Sequence, residues 1–294
     1  MAAPSTLPRI LLGLELKNLR EGTTVKREDA AELSGISKPT LWRIESGLDV
    51  RLNPVLIQKL CEVYDATPEQ TNAILALVQE AAEDKDGWWH AFSDAIPKEF
   101  NLFVSLENRA NHLVSYQTTF LPGQLQTLEY RRALSWIEFP DKSSRDTERM
   151  LQVAMKRQER LTSSDNPLQL AVLIDESVLR RDTGGPEVMA TQLKHLSAMG
   201  ELPNVSVRVV PASAGTYQGL FAGTFVLFEF PDHPNNELTR PPIVYVQGYA
   251  GGRYDKQPDV ITKYRGVLAD TERLALDEGN SRQLILSIAK EYST

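Results

Sequence analysis

Along the first eighty positions, apolar residues recur at helical spacing and are interrupted at short intervals by Gly, Pro or a small capping residue. In "RILLGLELKNLREG", Leu12, Leu16 and Leu19 share one helical face and Gly22 stops the run. "KREDAAELSG" predicts a second, short helix in which Ala30, Ala31 and Leu33 pack closely. It closes at Gly35, a residue free to take the left-handed turn conformation. In "GISKPTLWRIESG", Ser37 is placed to cap, Pro39 is tolerated in the first turn, Leu41 and Ile44 point inward, and Gly47 ends the helix. "NPVLIQKLCEVYDA" and "TPEQTNAILALVQEAAED" each open with a capping residue followed by Pro at the first helical position. The pattern predicts five helices.

After "EDKDG" the texture changes. "WWHAFSDAIPKEFNLFVSLENRANHLVSY" is rich in aromatics, and "LPGQLQTLEYRRALSW" and "SRDTERMLQVAMKRQERL" read as further helices separated by turn residues. From residue 168 onward, strands are expected at "LQLAVLI", "VSVRVV", "TFVLFEF" and "PIVYVQG". A helix, "GPEVMATQLKHLSAMG", lies between the first two strands. "DVITKYRGVLADTERLAL" and "SRQLILSIAKEY" close the chain as two more. The fold class expected is therefore multidomain: an all-α five-helix domain over residues 1–82, then a mixed α/β (α+β) domain over residues 83–294.

Composition narrows the possible partners. A chain of 294 residues with 41% hydrophobic and 24% charged residues is long enough for a substantial core, which excludes a wholly disordered chain. The formal net charge of -7 excludes a globally basic nucleic-acid coat, and residues 1–80 hold nine Lys and Arg against eleven Asp and Glu. Any contact with nucleic acid must come from a local patch. The lone Cys61, set among helical apolar positions, rules out an intramolecular disulfide and any cysteine zinc cluster, and reads as a buried small residue. The N-terminus lacks the basic region of a signal peptide, and no stretch approaches a membrane span. A cytoplasmic protein without membrane contact is expected.

A short helix, a turn centred on Gly35 and a second helix opening with small polar and basic residues form a helix-turn-helix pattern. In such a motif the second helix enters the major groove with its N-terminal residues at the base edges, while the first crosses the phosphate backbone. Lys38, Thr40 and Arg43 would then face outward. Arg43 suits a guanine, because a planar guanidinium pairs bidentately with O6 and N7. Thr40 suits a thymine methyl or a phosphate, and Ser37 a phosphate oxygen. Lys26 and Arg27 open the preceding helix, where they would neutralise backbone charge. Spacing alone equally fits an amphipathic helix with a solvated outer face.

The order of elements adds to this reading. Through "LKNLREG", "EDAAELSGIS", "TLWRIESG" and "PEQTNAILAL", residues 10–80 resemble the lambda-repressor-like, or XRE, helix-turn-helix family. The resemblance implies DNA contacts at Arg27, Ser37, Lys38, Thr40, Trp42 and Arg43, and a structural ion pair between Arg20 and Glu45. Two positions depart from the family: Arg27 stands where Gln is frequent, and Trp42 where Ser is more usual. Trp42 either meets sugar or a thymine methyl, or covers the flank of the domain.

Residues 87–292 are similar to the C-terminal domain of actinobacterial antitoxin-like, WhiJ-like regulators. The similarity runs through "GWWHAF", "LENRANHLVSY", "LPGQLQTLEYRRAL", "KRQERL", "LIDESVLRR", "VRVVP", "GTFVLFEF" and "IVYVQ", although Gln124 sits where an apolar residue is usual. It implies a small BldB-like partner protein docking on, or signalling through, this domain.

The residues of the second domain spell little chemistry of their own. Asp175 and Glu176 follow a strand and read either as paired catalytic carboxylates at a sheet edge or as the cap and first turn of a short helix. His90, His112, His195 and His233 lack ligand spacing, so no metal site is expected. No nucleophile elbow, P-loop or dinucleotide fingerprint occurs, so neither a cofactor nor an enzymatic activity is expected. "GYAGGRYDK" is either a ligand-approaching loop or a plain connection.

Three functions remain in play: a transcriptional regulator that binds a double-stranded DNA operator as a homodimer on two half-sites; an antitoxin-like protein that sequesters a small partner and regulates its own operon; and an enzyme using Asp175 and Glu176. The first is expected, acting as a repressor.

Overall fold

The computed structural model describes residues 6–83, 88–92, 98–231, 241–249 and 251–293. Its first five helices are α1 (Leu7–Glu21), α2 (Arg27–Ser34), α3 (Lys38–Glu45), α4 (Pro54–Val63) and α5 (Pro68–Glu83). They begin where capping chemistry permits. The Ser37 hydroxyl accepts from the Thr40 N–H at 3.3 Å, and the Asn53 carboxamide accepts from the Val55 N–H at 3.1 Å. Thr67 and Gln70 form a reciprocal capping box: Thr67 Oγ1 accepts from the Gln70 N–H at 3.2 Å, and Gln70 Oε1 from the Thr67 N–H at 2.9 Å. Gly35, at φ +76°, supplies the left-handed turn between α2 and α3.

Leu12, Leu16, Leu41, Ile44, Ile57, Leu60 and Ile74 are buried together with Cys61, whose thiol burial pushes up to about 11. At that value Cys61 is a small core residue with negligible thiolate at neutral pH. One packing expectation fails. Leu33 is exposed, and Ser34 takes the inward place instead, its hydroxyl donating to the Ala30 carbonyl at 2.7 Å. On so short a helix Ala30, Ala31 and Ser34 make the inner face, and their small size permits close approach. Gly13 has a similar part in α1. A Cβ there would collide with the Ile44 carbonyl oxygen and lie 2.8 Å from the Gly47 nitrogen, so glycine lets α1 and α3 pack backbone to backbone.

A 3-10 turn at Trp88–Phe92 and helix α6 (Lys98–Arg109) follow. The described residues divide into two compact units between Leu106 and Glu107, later than residue 82, where the composition shifts. The second unit is built on a six-stranded mixed sheet of β1 (His112–Gln117), β2 (Gln169–Asp175), β3 (Val205–Val210), β4 (Phe225–Glu229), β5 (Ile243–Val246) and β6 (Arg253–Asp255). The strand order is β3-β2-β1-β4-β5-β6. β1, β2 and β3 run parallel, and β4, β5 and β6 continue the sheet antiparallel. The parallel strands are joined through α7 (Leu128–Glu138) and α8 (Ser144–Gln158), then through α9 (Glu176–Arg180) and α10 (Pro186–Met199). α11 (Gln218–Ala222), α12 (Pro258–Leu274) and α13 (Glu278–Glu291) complete the unit. On one sheet face Val114, Tyr116, Leu173, Phe225, Leu227 and Val244 pack with Ile261, Val267 and Leu268 of α12. The whole is the multidomain α+β arrangement expected.

β1 is central, yet nothing in its sequence declared a strand. Its "HLVSYQ" has neither strict alternation nor a continuous apolar run, because Ser115 and Gln117 interrupt it although both are buried, Gln117 Nε2 donating to Ser115 Oγ at 2.8 Å. Of "GYAGGRYDK", in which Ala250 lies outside the described residues, the glycine-rich half leads from β5 to β6 and "RYD" is β6 itself, a strand where a loop or plain connection was expected. At Gly252 a Cβ would strike the Tyr245 ring, which packs on Tyr254 with centroids 4.9 Å apart. That glycine serves the hairpin.

The "LPGQLQT" segment is held from within. Gln158 Nε2 donates to the carbonyls of Gly123 and Gln126 at 3.0 and 2.7 Å, and Gln192 accepts from the Thr127 N–H at 2.6 Å while donating to the Leu125 carbonyl at 2.7 Å. Below it, the buried Glu107 carboxylate accepts from Arg157 Nη2 at 2.6 Å and from Gln124 Nε2 at 3.0 Å. Gln124 is polar because it completes this cluster, and Gly123 leaves space for the Arg157 guanidinium.

Candidate nucleic-acid interface

The orientation of α3 is fixed by one buried carboxylate. Glu45, its side chain 2% exposed, accepts from Arg20 Nε at 2.7 Å and Nη2 at 3.2 Å, from Arg27 Nε at 2.8 Å, and from the Tyr64 hydroxyl at 3.4 Å. These partners come from α1, α2 and the end of α4, so a single group ties four helices together. Hydrogen bonding to Glu45 raises the pKa of Arg20, while burial and then the Glu45 charge raise that of Tyr64. The Arg20–Glu45 pair expected from the resemblance is therefore present. Arg27 joins it: where a Gln would brace the site with a neutral amide, this chain uses a second guanidinium. Arg27 remains about one-third exposed at 36%, with only Nε engaged to Glu45. Tyr64 is the member that the sequence pattern did not mark.

Around this anchor, Leu41 and Ile44 point inward, while Lys38, Pro39, Trp42 and Arg43 are exposed. Ser37 and Thr40 are joined by their hydroxyls at 2.7 Å, and Lys26 is exposed at the N-cap of α2. Lys26 has no acceptor atom, so it leaves the first N–H groups of α2 uncapped by a side chain. The structure thus places Arg27, Lys38, Thr40, Trp42 and Arg43 on the adjoining helices α2 and α3, with Lys26 and Ser37 at their N-caps. Exposed Glu28, Asp29 and Glu32 on α2 confine the positive charge to a narrow strip. The segment after α3 is fastened from α1: Arg9, 4% exposed, pairs with Asp49 at 2.9 Å and donates to the Val50 carbonyl at 2.6 Å. No motif pointed to Arg9, since a buried arginine and its loop acceptors have no sequence spacing.

The carboxylates of the second unit are occupied otherwise. Asp175 Oδ1 caps α9 by accepting from the Ser177 N–H at 3.0 Å. Its Oδ2 accepts from the Tyr217 hydroxyl at 2.9 Å, which in turn accepts from the Tyr116 hydroxyl at 2.8 Å. Burial pushes Tyr116 up to about 12. Glu176 accepts from the Ala212 N–H at 2.8 Å and from Arg180 Nε at 2.7 Å. Burial opposes its charge, but these bonds hold it below the usual carboxylate range. Of the two readings, cap and first turn is the one the geometry supports. His112 Nδ1 lies 2.8 Å from Glu229, His233 lies outside the described residues, and no cluster of three potential metal ligands occurs among the described residues. Among the same residues, no helix is long and apolar enough to cross a membrane.

Residues 11–74 match a helix-turn-helix domain family, and residues 100–287 match a domain of unknown function, DUF5753. The second match covers more than half of the chain, which therefore belongs to that family. No curated protein and no solved structure matches it. With α2 and α3 in place, the N-terminal match supports a DNA-binding regulator with an XRE-like helix-turn-helix.

Proposed function

We propose that this regulator is a sequence-specific transcriptional repressor of the WhiJ-like group that binds its operator as a homodimer and takes its signal from a small, BldB-like protein on the second unit. The observation that carries the DNA-reading part is the Glu45 cluster, which holds α3 rigidly while leaving Lys38, Trp42 and Arg43 outward. A single such helix spans few base pairs, so genomic specificity calls for two half-sites and hence two copies. Repression needs no further chemistry, since occupancy of a promoter blocks it. A binding role for the second unit, rather than catalysis, is supported by the engagement of Asp175 and Glu176 in caps and ion pairs. A cytoplasmic location follows from the proposed function.

Arg43→Ala is expected to weaken binding to the chain's operator by about 1–3 kcal/mol, about 5- to 150-fold, and to relax preference at one guanine per half-site. Fluorescence anisotropy titrations on the operator and on single-base variants measure both effects. An unchanged preference at every position would remove Arg43 from base reading. Co-expression of the tagged chain with the small protein of its genomic neighbour tests the partner: a stoichiometric complex is expected, and separate elution would refute docking. If that neighbour arrests growth without the chain, the antitoxin form of the partnership is the correct one.

A further inference from the structure

We propose that Pro39 and Trp42 form a thymine-reading ridge beside Arg43, so that each half-site carries a thymine whose 5-methyl group is recognised next to a guanine. This rests on the reading of α3 as the recognition helix.

Trp42 is 49% exposed, although Leu41 and Ile44 already fill the inward face of α3, at 0% and 4%. Its ring is therefore not needed to close the core. Pro39 and Trp42 stand three residues apart on the helix, and Pro39 and Arg43 four apart, which makes them surface neighbours. The outer face thus presents an apolar strip bounded by the cations of Lys38 and Arg43. An apolar strip offers little to phosphate oxygens, which call for donors. In the major groove the only apolar group on a base edge is the thymine methyl. Pro39 offers no side-chain donor, so the strip discriminates by contact alone. Trp42 has one donor, the indole N–H, at the edge of an otherwise apolar ring. Insertion between base steps is a device of minor-groove proteins, and a helix seated in the major groove does not bring Trp42 there.

The test uses the full-length chain and a duplex operator selected from a random library. Each thymine is replaced in turn by deoxyuridine, which removes one methyl and leaves the base-pairing groups intact. At one thymine per half-site, affinity is expected to fall about fourfold, the ratio given by about 0.8 kcal/mol for a buried methyl-sized group. That loss should vanish in Trp42→Ala and persist in Trp42→Phe. If every uracil replacement is neutral, or if the same loss appears in Trp42→Ala, the ridge does not read methyl groups. If Trp42→Ala lowers affinity equally on all sequences, the ring contacts sugar and the proposal is overturned while DNA binding stands. Failure of the selection to yield any operator would instead count against the recognition-helix reading itself.

Discussion

Replacement of Glu107 by Ala is expected to destabilise the second unit by about 3–5 kcal/mol, the usual cost of removing one partner from a buried ion pair. Glu107 and Arg157 are 2% and 8% exposed, and the carboxylate takes Arg157 through both Nε and Nη2. It also takes Gln124 Nε2 at 3.0 Å, while Arg160 donates to the Glu107 carbonyl. Without the carboxylate, the buried Arg157 guanidinium loses its Glu107 counter-charge. The effect should spread along "LPGQLQT", because Gln124 and Gly123 sit directly against this pair. Hydrogen exchange across residues 107–174 is the measurement, and Glu107→Ala should accelerate exchange there while leaving residues 7–83 unaffected. A joint Glu107→Met, Arg157→Met variant should recover much of the loss, since an apolar pair replaces a buried ionic one at little cost. Protection within about 1 kcal/mol of the parent in the single variant would mean that solvent or another acid compensates Arg157.

Glu45→Ala is the matching change in the first unit, with an expected cost of about 3 kcal/mol, at the low end of the range because Arg27 is partly solvated. Its consequence is the larger one for function. Arg20, Arg27 and Tyr64 lose their shared acceptor, and α3 loses its polar ties to α1, α2 and α4. Operator affinity should fall beyond the stability loss, even at temperatures where the unit stays folded. Glu45→Gln keeps an acceptor without the charge and should fall between the two. The check pairs exchange over residues 7–83 with binding titrations. Normal affinity in a folded Glu45→Ala chain would show that α3 is positioned by its apolar face alone.

Much of the first unit was legible because its signals are local. Ser37, Asn53 and Thr67 cap within three residues of themselves, Gly35 turns the chain in place, and Leu41 and Ile44 declare their face by spacing. What escaped was tertiary. Leu33 looked inward because it is apolar, but the close approach of α2 favours Ser34 there. Gly13 carries no sequence mark of its role, since it lets α1 approach the backbone at Ile44 and Gly47, more than thirty residues away. Tyr64 and Arg9 complete the interface through partners 19 and 41 residues away. In the second unit β2, β3, β4 and β5 showed themselves as apolar runs, whereas β1 did not, since its buried Ser115 and Gln117 imitate solvent-facing residues. Asp175 was legible as a cap, but its bond to Tyr217 crosses 42 residues and has no local trace.

On this account α3 reads a specific DNA sequence. Repeated selection of random duplexes by the full-length chain tests it most directly, run beside Arg43→Ala at moderate salt. The expected result is one enriched motif of two half-sites about one helical turn apart, with a guanine that the variant no longer demands. Recovery of no motif by the parent chain, or of an identical motif by the variant, would contradict it.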